Sequence, residues 1–220
     1  MRRSSDPLYE AADSMVELGR IGLWALAGKR LPRRYRRAGI VVVASDTDVD
    51  AGVGAVWLDR GTRRPRINEI CQYERVAGNW QYVGGGGSSD LKFALAGRRP
   101  AAVTGPASML THMGGTAGRS RADREAQGDQ LDPSRWGWVA CAAFRVAAEV
   151  TCLQVGSRRV EVPAHGHVVV AWKAPPTHQR PPRPPITALG ADGAILTELG
   201  PTGHLDTLSW TAIKKAIGQE

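Results

Sequence analysis

Lysine is scarce in this chain: only five of its 29 basic residues, at 29, 92, 173, 214 and 215, are Lys, and the rest are Arg. With abundant Ala and Gly, that skew is what a GC-rich genome writes by codon bias. The formal net charge of +8 is therefore partly genomic, and it speaks to attraction of anions rather than to fold. Cysteine is sparse as well. Cys71, Cys141 and Cys152 form an odd set with no Cys-x-x-Cys pair, which excludes a disulfide framework and the usual zinc spacings. Cys71 and Cys141 lie in apolar runs, where a reduced thiol behaves as a small hydrophobe, so a reducing cytoplasm is the expected compartment. Long hydrophobic runs are missing: Ile21 to Ala27 falls far short of the ~20 residues a transmembrane helix needs. The polar Ser-Ser-Asp-Pro after Met-Arg-Arg is unlike a signal peptide, and none is expected. There is no Gly-x-Ser-x-Gly and no Cys or Ser in an activating context, so nucleophilic catalysis finds no support.

What is present alternates. Residues 7–28 read as a helix, with Asp6 as N-cap, Pro7 at N1, Glu10 in the first turn and Gly28 as the stop. Leu8, Ala12, Met15, Leu18 and Leu26 form its apolar stripe. From Gly39 the period shortens to that of strands. Strands are expected at 40–44, 53–58, 67–76 and 79–83, with a hairpin turn between the last two, and a further one at 91–95. Residues 97–135 are rich in Gly, Ala, Arg and Ser with no sustained period, and are expected to be a flexible insert, because they bury too little to offset ordering entropy. Val139 to Val155 is an apolar run ambiguous between helix and strand. Strands follow at 159–162 and 167–172, read as a hairpin around Pro163–Gly166, and at 186–189 and 194–199 around Ala191-Asp-Gly193. Residues 206–217 suit a short terminal helix.

This pattern predicts a mainly β protein: an antiparallel β-sandwich of immunoglobulin-like pattern, with an N-terminal helix and a short C-terminal helix. The expected organisation is a helix and basic connector over 1–38, then one β-rich domain over 39–199. That domain is assembled from 39–96 and 136–199 around the insert 97–135, and a helical tail over 200–220 follows it.

Several constellations carry candidate chemistry. Lys29, Arg30, Arg33, Arg34, Arg36 and Arg37, with Tyr35 among them, can engage nucleic-acid phosphates or an acidic membrane surface; a solvated connector inflated by codon bias is the simpler explanation. Asp46, Asp48 and Asp50 alternate as cation ligands do. The EF-hand pattern nevertheless fails, since Ala51 holds its glycine position and Trp57 its closing glutamate. His165 and His167 form a His-x-His of the kind found at metal sites. Val162-Pro-Ala-His-Gly-His167 is similar over these few residues to the second conserved box of cupins, but no Glu follows His167 in the apolar stretch Val168–Trp172. Gly84–Gly87 with Ser88 and Ser89 lacks the lysine of a phosphate-binding loop. Trp80, Tyr82, Trp136, Trp138 and Trp172 suit a ligand cleft or core packing, and Arg180-Pro-Pro-Arg-Pro-Pro185 a polyproline ligand or a stiff loop. Glu69, Glu74, Glu149 and Glu161 are strand carboxylates able to pair as acid and base.

No cofactor is expected. The leading expectation is a non-enzymatic binding or assembly protein that meets a protein partner or a second copy of itself. Nucleic acid or an anionic surface bound through 29–37 is the second. A metal-dependent enzyme using His165 and His167, or the aspartates, is the third.

Overall fold

The computed structural model describes residues 7–60, 67–88, 98, 109–128, 132–176 and 183–200. The expected strand at 91–95 and the expected helix at 206–217 lie outside them. The described chain is mainly β, with antiparallel sheets, and divides into two compact units. The first comprises Met1–Ala96, Gly115–Ala143 and His167–Pro181; the second comprises Gly97–Gly114, Phe144–Gly166 and Pro182–Glu220.

The first unit is built on a four-stranded meander: β1 (Val41–Asp48), β2 (Val53–Arg60), β3 (Ile67–Val76) and β4 (Asn79–Ser88), each antiparallel to the next. The turn between β3 and β4 is two residues long, and Ala77 and Gly78 both have positive φ, which matches the twist of a hairpin. Both faces of this sheet are covered. On one face, Val43, Ala55, Trp57 and Ile70 pack with Val139, Cys141, Val169 and Ala171. The latter four lie on β6 (Trp138–Val146) and β9 (His167–Ala174), which with β5 (Leu110–Arg119) form a three-stranded sheet of order β5-β6-β9. On the other face, Leu18, Ile21 and Ala25 of α1 (Pro7–Leu26) pack with Val56, Leu58, Cys71 and Tyr73.

This double cover explains why β2 is buried along nearly its whole length, as strands covered on both faces are. It also explains how α1 approaches so closely. A β-carbon on Gly22 would be driven into the ring of Tyr73. Glycine at this helix-interior position, which costs roughly 1 kcal/mol of helix propensity, is what lets the backbone lie on the ring.

The second unit holds a four-stranded antiparallel sheet of order β11-β10-β7-β8: β7 (Cys152–Val155), β8 (Arg158–Glu161), β10 (Ile186–Leu189) and β11 (Ile195–Leu199). Leu153, Ile186 and Ala188 are fully buried. The His112 ring lies 5.6 Å from that of Phe144, and Arg98 donates from Nε to the carbonyl of Ala164 at 3.2 Å and from Nη1 to that of Val150.

Two expectations need correction, and one open reading is resolved. The segment 97–135 is not structureless: β5 and α3 (Arg121–Ala126) lie inside it. The run Val139–Val155, open between helix and strand in sequence, resolves into two strands, β6 and β7, separated by a turn at 148–149. The strands flanking Pro163–Gly166 do not form a hairpin. β8 pairs with β7, whereas β9 is an edge strand of the three-stranded sheet. The intervening segment closes on itself, the Gly166 amide donating to the carbonyl of Pro163 at 2.8 Å.

Candidate functional site

The basic run forms a connector and a five-residue helix, α2 (Arg33–Arg37), entered through Pro32. Left to itself, this helix is unfavourable. Arg33 with Arg36 and Arg37, and Arg34 with Arg37, are like charges at helical i,i+3 and i,i+4 spacing, each pair costing roughly 0.2–0.5 kcal/mol. Tertiary burial holds it instead: Leu31 and Tyr35 are in the core with Ile21 and Ile40. The arginines then use the protein as a scaffold. The Arg34 guanidinium lies 4.7 Å from the Tyr35 ring centroid and donates to Tyr35 Oη at 3.1 Å, while Arg36 Nε donates to the Leu31 carbonyl at 3.2 Å. Lys29 Nζ sits 5.9 Å over the Trp24 ring. All six cations, Lys29, Arg30, Arg33, Arg34, Arg36 and Arg37, are exposed. Anchored from below and charged above, α2 can present guanidinium groups to phosphates without reorganising.

Asp46, Asp48 and His167 make contacts within the fold. Asp46 is buried in β1, and its Oδ2 accepts from the Ala171 amide of β9 at 2.8 Å. Asp48 accepts from the Ala51 amide at 3.0 Å, a local turn contact, and Asp50 is exposed in that turn. The three aspartates thus serve a core bond, a turn and the solvent. His167 begins β9 in the core, edge-on to Trp57 with ring centroids 5.4 Å apart, and His165 lies in the preceding turn. Burial, then the nearby Arg98 charge, hold the His165 pKa below its usual value. Among the described residues, no three His, Cys, Asp or Glu side chains gather as metal ligands would.

The strand carboxylates contain one feature that the alternation of β3 does not reveal. Glu74 is 1% exposed. Its Oε1 accepts from Ser120 Oγ at 2.6 Å and Lys173 Nζ at 3.1 Å; its Oε2 accepts from the Arg121 and Ala122 amides at 2.7 and 3.1 Å. Lys173 Nζ also donates to Asp123 Oδ1 at 2.9 Å, and Asp123 Oδ2 accepts from the Gly137 amide at 2.7 Å. Burial opposes ionisation of Asp123, yet the hydrogen bonds from Lys173 and Gly137 win and lower its pKa; burial likewise opposes the Lys173 charge, and its two carboxylates raise its pKa. Both Glu74 oxygens are occupied by donors, as in a carboxylate that caps a helix. The sequence signal for this network was the capping spacing Ser120-x-x-Asp123; the Asp123 amide does donate to Ser120 Oγ, at 3.0 Å.

The remaining motifs are absorbed into packing. Gly84–Gly87 belong to β4, where a β-carbon on Gly85 or Gly87 would sit 2.9 or 2.7 Å from a β3 carbonyl oxygen. This is close backbone approach rather than a phosphate loop. Tyr82 packs edge-on to Tyr73 at 5.8 Å. Trp136 donates to Gln127 Oε1 at 2.9 Å, and Arg119 covers Trp138 at 3.9 Å. Of the proline-rich segment, 180–182 lie outside the described residues; Arg183 Nη2 donates to the Gly200 carbonyl at 2.9 Å. Among the described residues no helix is long and apolar enough to cross a membrane. No family model matches this chain, and no curated protein or solved structure matches it either.

Proposed function

We propose that this is a binding protein rather than a catalyst, one that engages an anionic partner through α2 and the connector before it. In this reading the layers of the first unit, packed face to face in the manner of a β-sandwich, act as a stiff mount. One observation carries it: six cations are exposed over a buried Leu31 and Tyr35, despite the repulsion within the helix. Reduced cysteines buried at 71, 141 and 152 support a reducing, cytoplasmic setting.

The test is binding to a short DNA duplex and to anionic vesicles across a salt series. Replacing Arg33, Arg34, Arg36 and Arg37 together with Gln abolishes the salt-sensitive affinity, since each phosphate contact contributes about one unit to the salt slope. A wild-type protein with no salt-dependent binding to either probe ends the reading.

A protein partner or a second copy of the chain is the alternative. It is favoured by Ile195, 64% exposed on β11, the outermost strand of its sheet, because an apolar edge invites strand pairing. Sedimentation then detects an oligomer that Ile195→Lys dissolves. A strict monomer at all concentrations rejects it.

A further inference from the structure

We propose that the anionic partner is a lipid bilayer, and that the outward face of α1 enters its interface beside the α2 cations. The proposal rests on the anion-binding reading and names its target. α1 buries Leu18, Ile21 and Ala25 against the sheet. At 3.6 residues per turn, the opposite side carries Val16, Arg20 and Leu23, with Trp24 at its edge. A helix on a sheet normally turns polar side chains outward. Here Val16, Leu23 and Trp24 are 56, 46 and 40% exposed, with Arg20 among them and the exposed Glu17 two turns from Trp24 along the same edge. Lys29, over the Trp24 ring, joins this apolar row to the basic run.

The combination selects among anionic partners. A nucleic-acid backbone rewards cations and aromatic stacking but offers nothing to Val16 and Leu23. A bilayer surface rewards both halves, headgroups pairing with Arg and Lys while Leu and Trp side chains enter the acyl boundary. Tryptophan is enriched at that boundary because one ring edge is polar and the rest is not. Each cation near such a surface raises binding roughly fivefold at low salt. Electrostatics bring the protein to the surface, and the apolar row retains it there.

The experiment measures flotation of the full chain with vesicles of phosphatidylcholine and phosphatidylserine, with phosphatidylcholine alone, and its affinity for a DNA duplex. Of the two vesicle types the wild type is expected to bind only the mixed one, more strongly at low salt, and to show a weaker, salt-sensitive affinity for DNA. R33Q/R34Q/R36Q/R37Q weakens it by roughly a hundredfold or more. V16Q/L23Q/W24Q, which keeps helix-forming residues, weakens vesicle binding about tenfold and leaves DNA affinity within about twofold. Wild-type-like vesicle binding by this apolar variant, with its unfolding midpoint retained, overturns the proposal. So does a wild type that binds DNA but not vesicles, an outcome that leaves anion binding standing. Failure to bind either probe removes both readings.

Discussion

Gly22 on α1 rests against the ring of Tyr73 on β3, and Tyr73 Oη donates to the Leu18 carbonyl one helical turn away at 2.8 Å. Two opposing effects meet here. Gly22→Ala gains roughly 1 kcal/mol of helix propensity. The added methyl has no room, and overpacking costs roughly 1–3 kcal/mol or more. The clash should win, lowering the urea midpoint, and Tyr73→Ala on that background should recover part of the loss. A stabilised Gly22→Ala protein would show that the helix does not pack so closely.

Ala77 occupies a left-handed conformation, φ 48°, at the β3–β4 turn. A non-glycine residue there bears about 1–2 kcal/mol of strain. Ala77→Gly or Ala77→Asn should raise the unfolding free energy by roughly 0.5–1 kcal/mol, read by chemical denaturation, because Asn-Gly is the preferred pair for such hairpins. No change, or a loss, counts against this turn geometry.

The Asp123–Lys173–Glu74 network predicts the acid limb of stability. The Asp123 pKa is lowered in the folded state, so its contribution is present above the unfolded value near 3.8 and is lost as pH falls through the folded one. The Lys173 pKa is raised. Its contribution is present below about 10.5 and fades as pH climbs through the higher folded value. Asp123→Asn should flatten the stability profile below about pH 4 and change it little in shape between about pH 6 and 8. Asp123 is partly solvated, so the effect is modest. An unchanged acid limb rejects the assignment.

The aspartates of 46–50 should separate by role. Asp46 accepts a hydrogen bond in the core, so Asp46→Ala removes that bond from a buried amide and costs about 1–3 kcal/mol. Asp50→Ala, at an exposed turn position, should stay within about 0.5 kcal/mol. Calorimetry with and without Ca²⁺ or Zn²⁺ should give the same midpoint. A metal-dependent rise, abolished equally by both substitutions, restores a shared ligand set.

The alternation of β3 and the two-residue turn after it were legible because strand period and turn chemistry are local. Both bounds of β3 and the 77–78 hairpin follow from that pattern, whereas β4, expected to end at 83, runs on through its glycines to Ser88. Alternation places Cys71 and Tyr73 on one face and Gln72 and Glu74 on the other, which holds. Alternation does not tell whether that face is covered: Gln72 and Glu74 are both 1% exposed. Gln72 Nε2 donates to the carbonyls of Thr116 and Val139 at 2.6 and 2.9 Å. Those partners lie 44 and 67 residues away, beyond the reach of any local pattern. The strand Leu110–Arg119 is not legible in the sequence because its glycines mimic a linker.

Residue order alone determined the mainly β character, the leading helix, most turns and the cluster of six cations, all of which depend on neighbours along the chain. Only the tertiary structure decided which polar groups are core and which are surface. Asp46, His167 and Glu74 look like chemistry in one dimension, yet in three they are occupied by amides, a Trp ring and a lysine. The outward apolar row of α1 became visible only when the sheet claimed the opposite side, because apolar residues on more than one side of a helix do not announce which face it will bury.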